Sequence, residues 1–209
     1  MLQFIESIKV EDQKIILAEL HQQRMIETFS HFEKDCRIDV LEVFKNLNHD
    51  EDGLYKFRLV YDLENNFKTQ MLPYAISEIE DFELVTDDNL NYQFKYLDRK
   101  NLDRLKQKSH ADEVIILQNG NVTDTSFSNL LFLKDKTWYT PETYLLNGVQ
   151  RQHLLKQNQI KSTAISVDNI LEFSHFQIIN ALNDFDENFI YPISKIKNLP
   201  SKILDIDDL

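Results

Sequence analysis

The sequence predicts an α+β fold in two domains, a smaller one over residues 1–88 and a larger one over residues 89–209. Three observations predict it. Apolar and polar residues alternate at 4–10 and again in the pair 54–61 and 67–71, as half-buried strands do, and two helical patterns at 19–32 and 39–47 lie between them. Asn119-Gly120 stands between apolar stretches, and this pair tolerates the two successive positive φ angles of a tight hairpin. The acidic segment Thr86-Asp87-Asp88-Asn89 marks the division between the halves.

Composition bounds the function. Apolar residues make up 42% of the chain, enough for a real core. The net charge of -12 disfavours nucleic acid, because a phosphate-backbone binder needs a basic face. No apolar run approaches membrane-spanning length, so no membrane partner is expected. The first residues lack the basic and apolar regions of a secretory signal. Cys36 is the lone cysteine, so no internal disulfide can form, and a cytoplasmic location is expected. The six His residues show no metal-ligand spacing, so no metal is expected. Three glycines cannot build a Gly-rich phosphate loop.

The elements follow in order. Strand 4–10 turns at Glu11-Asp12-Gln13 and returns over 14–17. Helix 19–32 carries an apolar stripe of Leu20, Met25 or Ile26, Phe29 and Phe32. A short helix spans 39–47, and Gly53 opens the strand pair 54–61 and 67–71. One more strand lies in 73–88. Tyr92, Phe94 and Tyr96 then alternate with Gln93 and Lys95 as a strand, and Asp98 can cap a helix over 99–107. Strands at 114–117, after Asn119-Gly120, and at 130–133 form the central sheet. A strand at 136–141 ends on Pro141, and a helix begins after Gly148 and runs to about 157. Strand 160–167, a short helix 168–173 and strand 176–182 complete the chain before an acidic tail at 204–208.

Several residues invite a chemical reading. Thr123-Asp124-Thr125-Ser126-Phe127-Ser128-Asn129 holds five hydroxyl or carboxylate side chains in seven positions beside apolar strands. It reads either as a loop of Asx and Ser turns or as a ligand-facing loop. Arg24 reads either as a solvated helix residue or as an anion fork. Lys95, between aromatics, is either a surface strand residue or an amine whose pKa is depressed for nucleophilic attack. Arg58, among aromatics in mid-strand, either snorkels to water or meets an anion. The free N–H groups after Gly148 are either a plain helix start or an anion site.

In order and spacing, these pieces resemble the class IV aminotransferases, the fold-type IV enzymes of pyridoxal 5'-phosphate. The resemblance runs through His21-x-x-Arg24, Lys95, Val122-Thr123-Asp124, Ser128-Asn129-Leu130, Gly148-Val149-Gln150-Arg151 and Asn180-Ala181. It implies a D-amino-acid aminotransferase-like fold with the cofactor in a cleft between the two domains. It implies that Lys95 is the catalytic lysine that carries the cofactor as a Schiff base. Asp124 then pairs with the pyridine nitrogen, where the family normally has Glu. Arg24 and the N–H groups of Val149 and Gln150 hold the phosphate, with Gln150 replacing the usual hydroxyl residue. Ser128, Asn129, Asn180 and Ala181 complete the cofactor site, and Arg58 is the candidate for the substrate carboxylate. Phe4-Ile5-Glu6 resembles the family's Phe-Glu-Thr strand with an inserted Ile, and the Asp-Arg-Gly…Gly-Asp-Gly run that usually precedes it is not found. Asn180-Ala181 resembles the aminodeoxychorismate lyase branch. The resemblance therefore implies a homodimeric enzyme of a small-molecule amino substrate, first a 4-amino-4-deoxychorismate lyase of folate synthesis. A branched-chain or D-amino-acid aminotransferase is the second reading, and a non-catalytic pyridoxal phosphate-binding homologue the third.

Overall fold

The computed structural model describes residues 2–47, 49–76, 78–186 and 189–200. The expected acidic tail at 204–208 lies outside the described residues. The chain builds two sheets with helices between their strands, the mixed α+β arrangement that the sequence predicts.

The first sheet contains β1 (Gln3–Glu11), β2 (Lys14–Ile15), β3 (Leu54–Asp62) and β4 (Phe67–Pro73), in the order β2-β1-β3-β4 and antiparallel throughout. Alternation sends Phe4, Ile8, Val10, Phe57, Leu59 and Tyr61 to one face. There they meet Met25 and Phe29 of α1 (Ala18–His31) and Val40 of α2 (Val40–Lys45). Met25, not Ile26, supplies the helix stripe: Met25 is fully buried and Ile26 is exposed. Asp39 caps α2 by accepting from the Glu42 N–H. The β1–β3 register runs from Gln3↔Asp62 to Glu11↔Leu54 without a bulge. Ile5 is therefore an ordinary strand residue beside Glu6.

The second sheet contains β5 (Phe82–Thr86), β6 (Glu113–Gln118), β7 (Asn121–Thr125), β8 (Asn129–Lys134), β9 (Thr137–Pro141) and β10 (Lys161–Thr163), and β11 (His175–Ile179) joins it through β8 and carries β12 (Ile190–Pro192). The expected division near residue 88 falls after β5, yet β5 pairs in parallel with β6. The change of sheet thus lies between β4 and β5. Helix α3 (Lys100–Lys108) covers β6 with Leu102 and Leu105, and α4 (Val149–Lys156) buries Leu154 against Leu131 and Ile179.

Four expectations are corrected. Residues 91–96 form no strand, apart from an isolated Phe4↔Tyr96 bridge: the Lys95 carbonyl accepts from Ile5 N–H of β1, but the Gln93 and Tyr96 N–H groups donate within the segment, to Asn91 Oδ1 and the Phe94 carbonyl. The strand expected at 160–167 is reduced to β10, since the Ile165 carbonyl and the Val167 N–H bond the β6–β7 hairpin. The helix at 168–173 is a single 3₁₀ turn, Ile170–Glu172. The strand at 176–182 stops at Ile179, and 180–183 turns, with the Leu182 and Asn183 N–H groups donating to Asn180 Oδ1.

The hairpin forms as its residues dictate, with φ of 49° at Asn119 and 76° at Gly120. Its register then shifts. Leu117 faces Val122 and Ile115 faces Thr125, so β7 carries one residue more than β6. This bulge falls on Thr123-Asp124, and bulges re-aim side chains.

Candidate active site

A cavity of about 220 Å³ lies where both sheets contribute walls. Ser7, Arg24, Lys56 and Tyr74 come from the first sheet and its helix. Lys95 and Arg99 come from the linking segment, and Asp124 through Asn129, Leu145, Gly148, Val149 and Asn180 through Leu182 from the second unit.

One end of the cavity is built for an anion. Gly148 precedes α4, and the first helical bond runs from Gln152 N–H to the Gly148 carbonyl. The N–H groups of Val149 and Gln150 belong to the first helical turn, which has no intrahelical acceptor, and they present the positive end of the helix dipole. Only glycine fits at 148, because a Cβ there would stand 2.0 Å from Asn129 Oδ1. Gln150 is buried and does not line the cavity, whereas Gly148 and Val149 do. Arg24 lines the cavity and is buried. Its Nε donates to Glu6 Oε1 at 2.9 Å and its Nη2 to Glu6 Oε2. The guanidinium is thus shared, with Nη1 left over.

Beside this anion end, joined through Asn129 and the Leu145-Leu146 turn, lies Asp124. Its Oδ1 accepts from Asn129 Nδ2 at 2.7 Å, and its Oδ2 accepts from the N–H groups of Leu145 and Leu146 at 3.0 and 2.9 Å. A carboxylate accepts about four hydrogen bonds, so one position remains. Burial raises the Asp124 carboxyl to about 6, against the lowering effect of those three donors. Asn129 Nδ2 also donates to the Leu146 carbonyl. Asn180 Nδ2 donates to Ser128 Oγ at 2.9 Å, so Ser128, Asn129, Asn180 and Ala181 all meet at this wall.

Lys95 sits on the irregular link, clamped by Ile5 N–H on its own carbonyl and by Leu97 N–H on the Gln3 carbonyl. Burial, and next the Arg24 charge, lowers its amine to about 8, while Glu6 and Asp124 pull the other way. A depressed amine facing a carboxylate and an anion cup is suited to nucleophilic attack and proton transfer.

The structure brings Arg24, Lys95, Asp124, Ser128, Asn129, Val149, Asn180 and Ala181 together around one cavity and leaves Gln150 and Arg58 out of its lining. Arg58 Nη1 donates to Gln70 Oε1 across to β4, and Arg58 does not line the cavity. Lys56, two residues earlier on the same strand face, lines it instead, with Nζ 5.4 Å from the Tyr74 ring centre. Arg99 was not anticipated either. It lines the cavity and donates to the Ser126 carbonyl at 2.8 Å. Glu6 also went unread, although a signal existed: it shares strand parity with Phe4, Ile8 and Val10, the buried face.

Among the described residues no His, Cys, Asp or Glu group could hold a metal, and no helix is long and apolar enough to cross a membrane. The donor set of an amine, a buried carboxylate and a helix N-terminus opened by glycine, all lining one cavity, fits pyridoxal 5'-phosphate.

Comparison with known proteins agrees. Residues 3–196 match the sequence model of the family described as amino-transferase class IV. An uncharacterized protein of Haemophilus influenzae is 32% identical over 187 residues, covering 88% of this chain and 99% of that protein. A solved Haemophilus somnus structure, called a "putative 4-amino-4-deoxychorismate lyase", is 30% identical over 88% of this chain and 98% of its own, with a TM-score of 0.82. The branched-chain amino acid aminotransferase of Escherichia coli shares the fold at 13% identity and a TM-score of 0.69, over 95% of this chain and 77% of its own. The cavity's residues, the fold and the match over nearly the whole length place this chain in the class IV aminotransferase family, whose members are pyridoxal phosphate-dependent enzymes.

Proposed function

We propose that this enzyme is a pyridoxal phosphate-dependent lyase that splits 4-amino-4-deoxychorismate into 4-aminobenzoate and pyruvate. The observation that carries the reading is a lowered lysine amine, Lys95, facing Asp124 in a cavity that ends at the N-terminus of α4. Two further cations, Lys56 and Arg99, line the same cavity. They suit a substrate with two carboxylates better than an apolar amino acid with one. Asn180-Ala181 and the name of the Haemophilus somnus relative point the same way.

Each residue has a part. Lys95 would hold the cofactor, and Asp124 would face its ring nitrogen through the remaining acceptor position. Arg24 and the N–H groups of Val149 and Gln150 would hold the phosphate. Bound there, pyridoxal phosphate supplies an aldehyde for amine attachment and a ring that withdraws electrons. Once displaced by the substrate amine, Lys95 Nζ is placed to take up and return a proton, with an amine pKa of about 8 suited to both directions near neutral pH. The enzyme would act as a cytoplasmic homodimer.

The test supplies 4-amino-4-deoxychorismate and measures 4-aminobenzoate and pyruvate, beside an assay with branched-chain or D-amino acids and a 2-oxo acid. Both products in equal amounts, without need of a 2-oxo acid, support the lyase. Amino transfer without them supports the aminotransferase. Protein that binds pyridoxal phosphate yet does neither supports the non-catalytic reading.

A further inference from the structure

Arg24 is held by a carboxylate that the proposed reaction does not otherwise use. Glu6 has no solvent exposure. Its oxygens are engaged on one side by Arg24 Nε and Nη2, and on the other by His21 Nδ1 at 2.6 Å. His21 and Arg24 stand three apart on α1, on the face turned to β1. The next strand residue, Ser7, points to the other face of the sheet and lines the cavity.

Burial would raise a lone carboxyl, yet the Arg24 charge and the His21 bond hold Glu6 at about 2. Burial also lowers the His21 imidazole, so His21 is neutral, with Nδ1–H donating to Glu6. The His21–Glu6–Arg24 group therefore has a neutral sum. A buried ion pair is poor value for stability alone, since its desolvation offsets its attraction. What it does supply is direction. A guanidinium is planar, and two nitrogens fixed on one carboxylate fix the third. Among the described residues Nη1 has no protein partner, and Arg24 lines the cavity that α4 caps, with α1 and α4 in contact.

We infer that Glu6 is a positioning residue for anion recognition: it fixes Arg24 so that Nη1 is presented to the phosphate group at the α4 N-terminus, with His21 bracing Glu6 from behind. This rests on the pyridoxal phosphate reading above. Without Glu6 the Arg24 side chain keeps its charge but loses its aim, so the phosphate contact weakens while the ring contacts of Lys95 and Asp124 persist.

The experiment titrates full-length protein, stripped of cofactor, with pyridoxal 5'-phosphate and separately with pyridoxal, followed by absorbance. The ratio of the two affinities reads the phosphate contact alone. In Glu6→Gln the ratio should fall about tenfold or more while pyridoxal affinity holds within about threefold, the scale of one charge-assisted hydrogen bond. An unchanged ratio, or equal losses for both ligands, overturns the inference. If Glu6→Gln does not fold, His21→Asn decides on the same ratio: a fall supports the bracing role, and no change refutes it. Wild-type protein that takes up neither ligand overturns the pyridoxal phosphate reading and this inference with it. Wild-type preference for the phosphate ester that Glu6→Gln leaves intact overturns the inference alone.

Discussion

Replacing Lys95 by Met should stabilise the cofactor-free protein, and should do so only at and below moderately alkaline pH. Lys95 falls from 10.5 to about 8 because burial, and next the Arg24 charge, disfavours its ammonium form. That drop corresponds to roughly 3 kcal/mol against the charged form in the folded state. Lys95 is half-buried and opens onto the cavity, where water recovers part of the cost, so a gain of about 1–2 kcal/mol is expected. The sign follows from proton counting. Below pH 8 the lysine is protonated both folded and unfolded, and the full penalty stands. Between 8 and 10.5 the unfolded chain binds more protons, so wild-type stability rises with pH. Above 10.5 both states are neutral and the advantage of Met over Lys disappears. Urea unfolding of both proteins across pH 6.5–11 (about that range suffices to bracket both values) reads the difference directly. Competitive acetylation with peptide mapping gives the amine itself: at pH 8 (about the folded midpoint) Lys95 should be half neutral, roughly 150-fold more than an unperturbed lysine. Free Nα-acetyl-lysine in the same mixture is the standard. A Lys95 that titrates with free Nα-acetyl-lysine, or a Lys95→Met gain that does not shrink above about pH 8, would refute the claim that this cavity depresses the amine.

Other outcomes follow from the same geometry. Gly148→Ala puts a methyl group onto Asn129 Oδ1, so Asn129 must release Asp124 and the Leu146 carbonyl; a loss of about 1–3 kcal/mol is expected in thermal unfolding. Glu6, lowered from 4.5 to about 2, contributes stability that is present above pH 4.5 and is lost as pH falls through 2, so Glu6→Gln should flatten the acid limb of the unfolding curve in that window. Lys9, buried on the cavity side of β1, reaches Asp184 at 2.5 Å and ties the 180–184 turn to the first sheet, together with the Tyr74–Asn183 bond. Lys9→Met should leave the global unfolding midpoint nearly unchanged, since Asp184 is half exposed, but speed amide exchange in that turn.

The parts of the site that were legible in the sequence are those set by local geometry or by order along the chain. Asn119-Gly120 turned where its φ preferences require, and Gly148 opened a helix. What stayed hidden depended on distant partners. Residues 91–96 alternate as a strand would, but the Gln93 and Tyr96 N–H groups bond within the segment and only the Lys95 carbonyl reaches the Ile5 N–H of β1; alternation says nothing of where a backbone bonds. Lys56 and Arg58 share one strand face, and periodicity cannot rank them. Gln70 across the β3–β4 register draws Arg58 away, while Lys56 stays over Tyr74. The bulge at Thr123-Asp124 left no mark in the residue types, yet it sets the aim of the carboxylate.

Asp124 itself poses the sharpest choice, since the family normally has Glu at this position. One reading makes it a shortened, failing carboxylate. The bonds argue otherwise. All three of its donors come from Asn129 and from the Leu145-Leu146 turn that leads into Gly148, so the acidic wall and the anion cup are a single bonded unit. That unit is fitted to the shorter side chain. Asp124 is 5% exposed, and a side chain longer by one methylene cannot hold its carboxylate on those three donors without shifting the turn or Asn129. Asp124→Glu should therefore cost about 1–3 kcal/mol of stability and weaken pyridoxal phosphate uptake. The comparison uses urea unfolding and absorbance titration of the two proteins side by side. A Glu variant that keeps its stability and binds the cofactor more tightly would mean that the turn is not fitted to Asp and that the departure is a defect. A Glu variant that loses both would show that the chain has rebuilt its anion cup around a shorter acid.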